Sequence, residues 1–189
     1  DSEFRYAGEP IAPLHAMDPQ RVIYVGTFSK VLFPAIRIGY VILPKELQAK
    51  WRKLRLYIDV QNPSIEQAIM AELLRTRKFD RHLKKMRKLY GERRTTLLRS
   101  LDQFFGDGWR ACGDAAGLHL AVEFKGMQFD EEFIARCREC GIRLASVERH
   151  AIRKGRHSNK LLLGFGHLGP EEIREGIAIL RSVMWDYFG

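Results

Sequence analysis

Two apolar stretches, "RVIYVGTFSK" at residues 21–30 and "IRIGYVILP" at 36–44, restrict the folds open to this chain more than any other feature. Neither alternates polar with apolar residues, so each reads as a strand inside a covered sheet. The first ends in a turn and the second is closed by Pro44. A helical pattern then runs from Lys45 to about Asp59. "QNPS" breaks it, because Asn62 and Pro63 turn the chain and Ser64 offers a cap to the next helix. A long helical region continues to about Phe105, in which Phe79, Leu83, Met86, Tyr90, Leu97, Leu101 and Phe104 share one stripe.

Beyond the turn "GDGW" the pattern changes to alternating strand and helix. "LHLAVEF" puts Leu118, Leu120, Val122 and Phe124 on one face of a strand, and Asp130 caps a helix "EEFIARCREC" that Gly141 ends. "IRLASVE" and "NKLLLGFGH" read as strands, and Pro170 opens a last helix with Ile173, Ile177, Leu180, Met184 and Phe188 at helical spacing. The fold class expected is α/β. Residues 1–60 read as part of a larger mixed-sheet domain, 61–109 as connecting helices, and 110–189 as a small α+β domain with helices on one side of a mainly antiparallel sheet.

The 32 Lys and Arg against 23 Asp and Glu leave a net charge of +9 over 189 residues, which admits nucleic acid, anionic lipid or a phosphorylated ligand as partner. The basic run "RTRKFDRHLKKMRKLYGERR" reads first as the solvated face opposite the apolar stripe. Its aromatics fall on that stripe rather than among the cations, so no stacking platform for bases is evident. No run of about eighteen apolar residues is present, and the opening "DSEFRYAGEP" has neither an initiator Met nor a signal-peptide pattern. With the odd set Cys112, Cys137 and Cys140, these features predict a soluble, cytoplasmic chain cut from something longer. "CREC" lies in a helical pattern without the further ligands that zinc needs, so no metal site is expected.

Lys30, directly after Thr27 and Ser29 at a strand end, has three readings. A phosphate loop needs a glycine immediately before the lysine, and Ser29 stands there. A structural lysine snorkelling to water fits the position. Covalent chemistry fits it too, since enclosure among apolar strands favours a neutral amine able to condense with an aldehyde. An aldehyde cofactor bearing a phosphate needs hydroxyl donors beside its lysine and a guanidinium for the dianion. Thr27, Ser29 and Arg37 supply that set.

"GTFSK" followed by "LFPAIRIGYVILP" resembles the cofactor-lysine segment of fold-type I pyridoxal-phosphate enzymes. The likeness is closest to the aminotransferase-like domain of MocR/GabR-type regulators of the GntR family. "DSEFRY", "AGLHLAVEF" and "LLLGFGHL" resemble the same subgroup in the same order. The resemblance implies part of a PLP-transferase large domain followed by a small α+β domain. By it, Lys30 would carry pyridoxal 5'-phosphate, and Thr27, Ser29 and Arg37 would bind the phosphate. It implies a homodimer that senses a small amino compound and reaches DNA through an upstream winged-helix domain, without a membrane. A true aminotransferase is the alternative, with Lys30 also the general base.

Two departures follow from the same resemblance. The family's pyridine-binding aspartate and a tyrosine near the cofactor oxygen fall just before the residue matching Asp1, and the stacking aromatic and phosphate turn lie further upstream. The isolated chain is therefore expected to bind the cofactor weakly or not at all. Where well-known members carry a carboxylate-clamping arginine, "GFGHL" offers His167, which cannot form the same bidentate clamp. His167 is a candidate substrate contact or a strand-end histidine beside Gly166 and Gly169. His119 reads as a packing or interface residue.

Overall fold

The computed structural model describes residues 4–9, 11–113 and 116–189. Residues 1–3 of the "DSEFRY" stretch thus lie outside the described residues, as do Pro10, Asp114 and Ala115. The chain divides into two compact units, Gly8–Lys85 and Asp1–Ala7 with Met86–Gly189. The division falls within a helix that runs uninterrupted from Lys78 to Phe105.

In the Gly8–Lys85 unit a short helix α1 (Leu14–Met17) precedes strand β1 (Tyr24–Thr27), which pairs antiparallel with β2 (Gly39–Ile42). The register sets Gly26 opposite Tyr40 and Thr27 opposite Gly39. Alternation places Tyr24, Gly26 and Phe28 on one face. There the Tyr40 ring lies across Gly26, stacked on Tyr24 at 6.0 Å and tilted against Phe28 at 5.4 Å. A Cβ on Gly26 would fall 2.3–2.6 Å from that ring, so glycine is what lets the ring lie there. The covered sheet expected from the apolar runs is not what this unit builds. Val25 is 76% exposed on the opposite face, and Ile42, which pairs with Tyr24 on the aromatic face, is 46% exposed, because the sheet has only two strands among the described residues.

Helices α2 (Lys45–Ile58) and α3 (Ser64–Arg75) follow. Ser64 is the first helical residue rather than the cap; Pro63 holds the cap position and makes no side-chain cap bond. The helical region expected to run on to Phe105 is two helices. Arg77 adopts a left-handed conformation (φ 53°), its amide donates to the Leu74 carbonyl, and α4 (Lys78–Phe105) starts afresh. With no Gly or Pro at the break, composition did not mark it.

The other unit is a four-stranded antiparallel sheet in the order β3-β4-β6-β5. Its strands are β3 (Trp109–Cys112), β4 (His119–Phe124), β5 (Ala145–Ser146) and β6 (Lys160–Gly164), with α5 (Glu131–Glu139) between β4 and β5 and α6 (Pro170–Phe188) last. One sheet face buries Leu120, Val122, Phe124, Leu161 and Leu163 against Leu97 and Leu101 of α4, Phe133 and Cys137 of α5, and Ile173, Ile177, Leu180 and Met184 of α6. Each such Leu or Phe contributes roughly 1.5–3 kcal/mol by leaving water. Burial also pushes the Cys137 thiol up to about 12, which makes it a core group rather than a nucleophile.

Strand β3 was not anticipated, and "IRLASVE" is a strand at two residues only. The cause is Glu148. Its carboxylate accepts the amides of Gly155 and His157, which holds it below the usual range and draws 148–157 into a closed loop instead of a longer strand. Among the described residues no helix is long and apolar enough to cross a membrane, and no three metal-ligating side chains gather.

Two outcomes test this account. Gly26→Ala is expected to displace the exposed Tyr40 ring and cost about 1 kcal/mol, the size of one or two aromatic pairs. In a Tyr40→Ala background the same change should cost nothing, and equal thermal-melt losses in both backgrounds would refute the packing role. Asp130 caps α5 by accepting the Phe133 amide at 2.8 Å, and that bond, ahead of the Tyr187 hydroxyl, lowers its carboxyl. The folded state thus holds the proton less tightly than the unfolded chain. The stabilisation is complete above the ordinary carboxylate value and is lost as pH falls through the lowered one. Urea midpoints at pH 7, 4 and 3 should drop less steeply for Asp130→Asn, which keeps the acceptor oxygen; parallel slopes would remove Asp130 from the acid response.

Candidate functional site

Lys30 lies in the connection between the paired strands, just past the last residue pair Thr27 and Gly39. The loop closes locally. The Phe28 amide donates to the Ile38 carbonyl at 3.0 Å, and the Leu32 amide to the Phe28 carbonyl at 2.9 Å. Thr27 Oγ1 accepts the Ser29 amide at 3.1 Å and donates to the Ile38 carbonyl at 3.4 Å. A 3-10 turn, Pro34–Ile36, brings the chain back to Arg37. Arg37 is left-handed, with φ 50° and ψ 32°, a conformation that costs a non-glycine residue of order 1 kcal/mol or more. Its guanidinium donates to the Pro34 carbonyl at 3.2 Å, which uses one of its five N–H groups.

The structure therefore brings Thr27, Ser29, Lys30 and Arg37 to one end of one hairpin. They supply two hydroxyls, an amine and a guanidinium, the donor set an anionic, aldehyde-bearing ligand requires. Among the described residues the Ser29 hydroxyl is not committed to another group. The expected enclosure of Lys30 among apolar strands is not found: Lys30, Thr27 and Arg37 are exposed, for the same reason that Val25 is.

A histidine that the sequence reading passed over stands at the same loop. His82, in the first turns of α4, places Nε2 2.8 Å from the Val31 carbonyl, and Phe79 meets the Phe28 ring edge-on at 5.6 Å. Its only sequence signal was a histidine among cations, because the contact joins residues 51 apart.

His167 belongs to the other unit, at the exposed end of β6. The preceding Gly166 carbonyl accepts a bond from Arg93 of α4, and Glu172 caps α6 through the Gly169 amide at 2.6 Å, so the turn is held on both sides. His167 lines a cleft of about 830 Å³ together with His119, Arg143, Glu172, Ile142 and Ile173.

The family model of class I and II aminotransferases matches residues 3–152, and the chain belongs to that family. It is 32% identical over 187 residues to the uncharacterized HTH-type transcriptional regulator YdeL of Bacillus subtilis (strain 168), covering 96% of this chain and 39% of that protein. It is 30% identical over 183 residues to the probable rhizopine catabolism regulatory protein MocR of Rhizobium meliloti, covering 96% and 37%. Among solved structures, the Pyrococcus horikoshii kynurenine aminotransferase in complex with PMP superposes with a TM-score of 0.84 at 25% identity, covering 100% of this chain and 46% of that one. The fold is accordingly that of the PLP-dependent transferases, and the chain spans under half the length of these relatives.

Proposed function

We propose that this chain is the cofactor-lysine-bearing part of an aminotransferase-like sensor in a bacterial regulator of the MocR type. The reading is supported by the hairpin end that carries Lys30, Thr27, Ser29 and Arg37, in a chain matched over 96% of its length by HTH-type regulators. Bound pyridoxal phosphate would supply an aldehyde that exchanges between Lys30 and an incoming amine. The residues present fit it: Ser29 offers a hydroxyl, Thr27 one that would turn from the Ile38 carbonyl, and Arg37 a charge to the phosphate, while Lys30 offers the amine. His167 takes part in recognising the amino ligand. An imidazole in place of a guanidinium suits a ligand without an α-carboxylate, or one whose carboxylate another residue holds.

DNA is read through a part of the protein outside these residues, as the HTH-type relatives suggest, and a cytoplasmic setting suits the three free thiols. A homodimer is supported by the surface of the Gly8–Lys85 unit. Of the large apolar side chains exposed among the described residues, all but Ile152, Trp185 and Phe188 lie there. The kynurenine aminotransferase likeness supports a second reading, a transaminase in which Lys30 also moves the α-proton.

Incubation with pyridoxal phosphate followed by borohydride reduction is expected to label Lys30 of the full-length protein stoichiometrically and the 189-residue chain only partly. An unlabelled Lys30 in the full-length protein would overturn the cofactor assignment, and full labelling of the isolated chain would show that it needs no other residues. His167→Arg in the full-length protein should change which amino compounds perturb the cofactor's absorbance; an unchanged ligand profile would release His167 from this role.

A further inference from the structure

We propose that His82 is a positioning residue for Lys30, holding the turn that aims the lysine. This rests on the reading that Lys30 carries the cofactor. Lys30 is exposed on a flexible four-carbon stem, and the backbone on either side sets where that stem leaves the chain. On the N-terminal side Thr27 Oγ1 receives the Ser29 amide, and the Phe28 ring is pinned by Tyr40 at 5.4 Å and Phe79 at 5.6 Å. On the C-terminal side Val31 is 4% exposed, and its carbonyl is met by His82 Nε2 at 2.8 Å.

A carbonyl only accepts, so Nε2 carries the hydrogen and the tautomer is fixed by this contact. Phe79 and His82 are three residues apart on α4, which places them on one face of the helix. That face therefore grips the residues two before and one after Lys30. Removing the donor leaves a carbonyl of a buried residue unpaired and frees the turn on one side. A lysine that must meet an aldehyde held by Thr27, Ser29 and Arg37 depends on such placement, since small misplacements of a reacting group cost large factors in rate.

The test uses the full-length protein with His82→Ala and His82→Gln, the glutamine amide nitrogen standing close to where Nε2 stood. Amide hydrogen exchange of residues 29–32 in the ligand-free protein should speed up about tenfold in His82→Ala, the scale of one lost hydrogen bond to a buried acceptor. Borohydride-trapped labelling of Lys30 at limiting pyridoxal phosphate should fall by a similar factor, and His82→Gln should restore most of both. Wild-type exchange and labelling in His82→Ala would overturn the proposal, as would failure of His82→Gln to restore them. If His82→Ala does not fold, His82→Asn, too short to reach Val31, replaces it under the same criteria. A wild-type protein that takes no label defeats the cofactor reading alone, because the exchange measurement still decides whether His82 holds the turn.

Discussion

The pairing of Gly26 with Tyr40 is the interaction on which the candidate site depends. Because strand side chains alternate between faces, a slip of one residue would carry Tyr40 off the glycine and against a side chain with no room for it. The same slip would part Thr27 from Gly39, the pair that brings the two ends of the lysine loop together. A hairpin's connection is as well placed as its last pair of residues. Here that pair is fixed by an aromatic ring lying over the one residue of β1 that has no side chain.

The two units are stabilised in different ways. Residues 86–189 surround a continuous core in which Phe124, Phe133, Leu120, Leu161 and Leu180 are at most 1% exposed. Its polar devices, the Asp130 cap and the Glu148 loop, are local closures on a body already held by apolar burial. Residues 8–85 bury Val31, Ile36 and Met70 and expose Trp51, Leu54, Tyr57 and Ile58 along α2. A unit with few buried apolar contacts opens locally at low cost. The geometry of its candidate lysine loop therefore rests on individual contacts, which gives each of them more weight than a single hydrogen bond usually has.

The sequence was readable where the cause of structure is local. The lysine set was visible because its members lie within eleven residues, and α5 and α6 because Asp130, Gly141 and Pro170 mark their ends. Three features were not visible for the converse reason. Strand β3 is four residues, "WRAC", too short to show a period, and it becomes a strand by pairing Trp109 with Phe124. Val147 and Glu148 end "IRLASVE" with strand composition, yet Glu148 satisfies amides seven and nine residues on, and the sheet stops at Ser146. His82 looked like one polar residue in a charged run, and only the fold shows what it touches. The covered sheet failed differently. The apolar runs are real, and Val25 and Ile42 present surface that this unit leaves in water.

The exposure of Lys30 then has a definite meaning. Covalent chemistry at an amine asks for a surrounding that excludes water. This hairpin does not provide such a surrounding. What it does provide is direction: two hydroxyls and a strained arginine at one end of a register-locked ladder, and a turn gripped from both sides by Thr27, Phe79 and His82. Aim and desolvation are separable requirements of covalent catalysis. The first can be built from contacts within one stretch of chain, as it is here. The second needs walls, and the apolar side chains that this unit exposes are the kind of surface against which such walls pack.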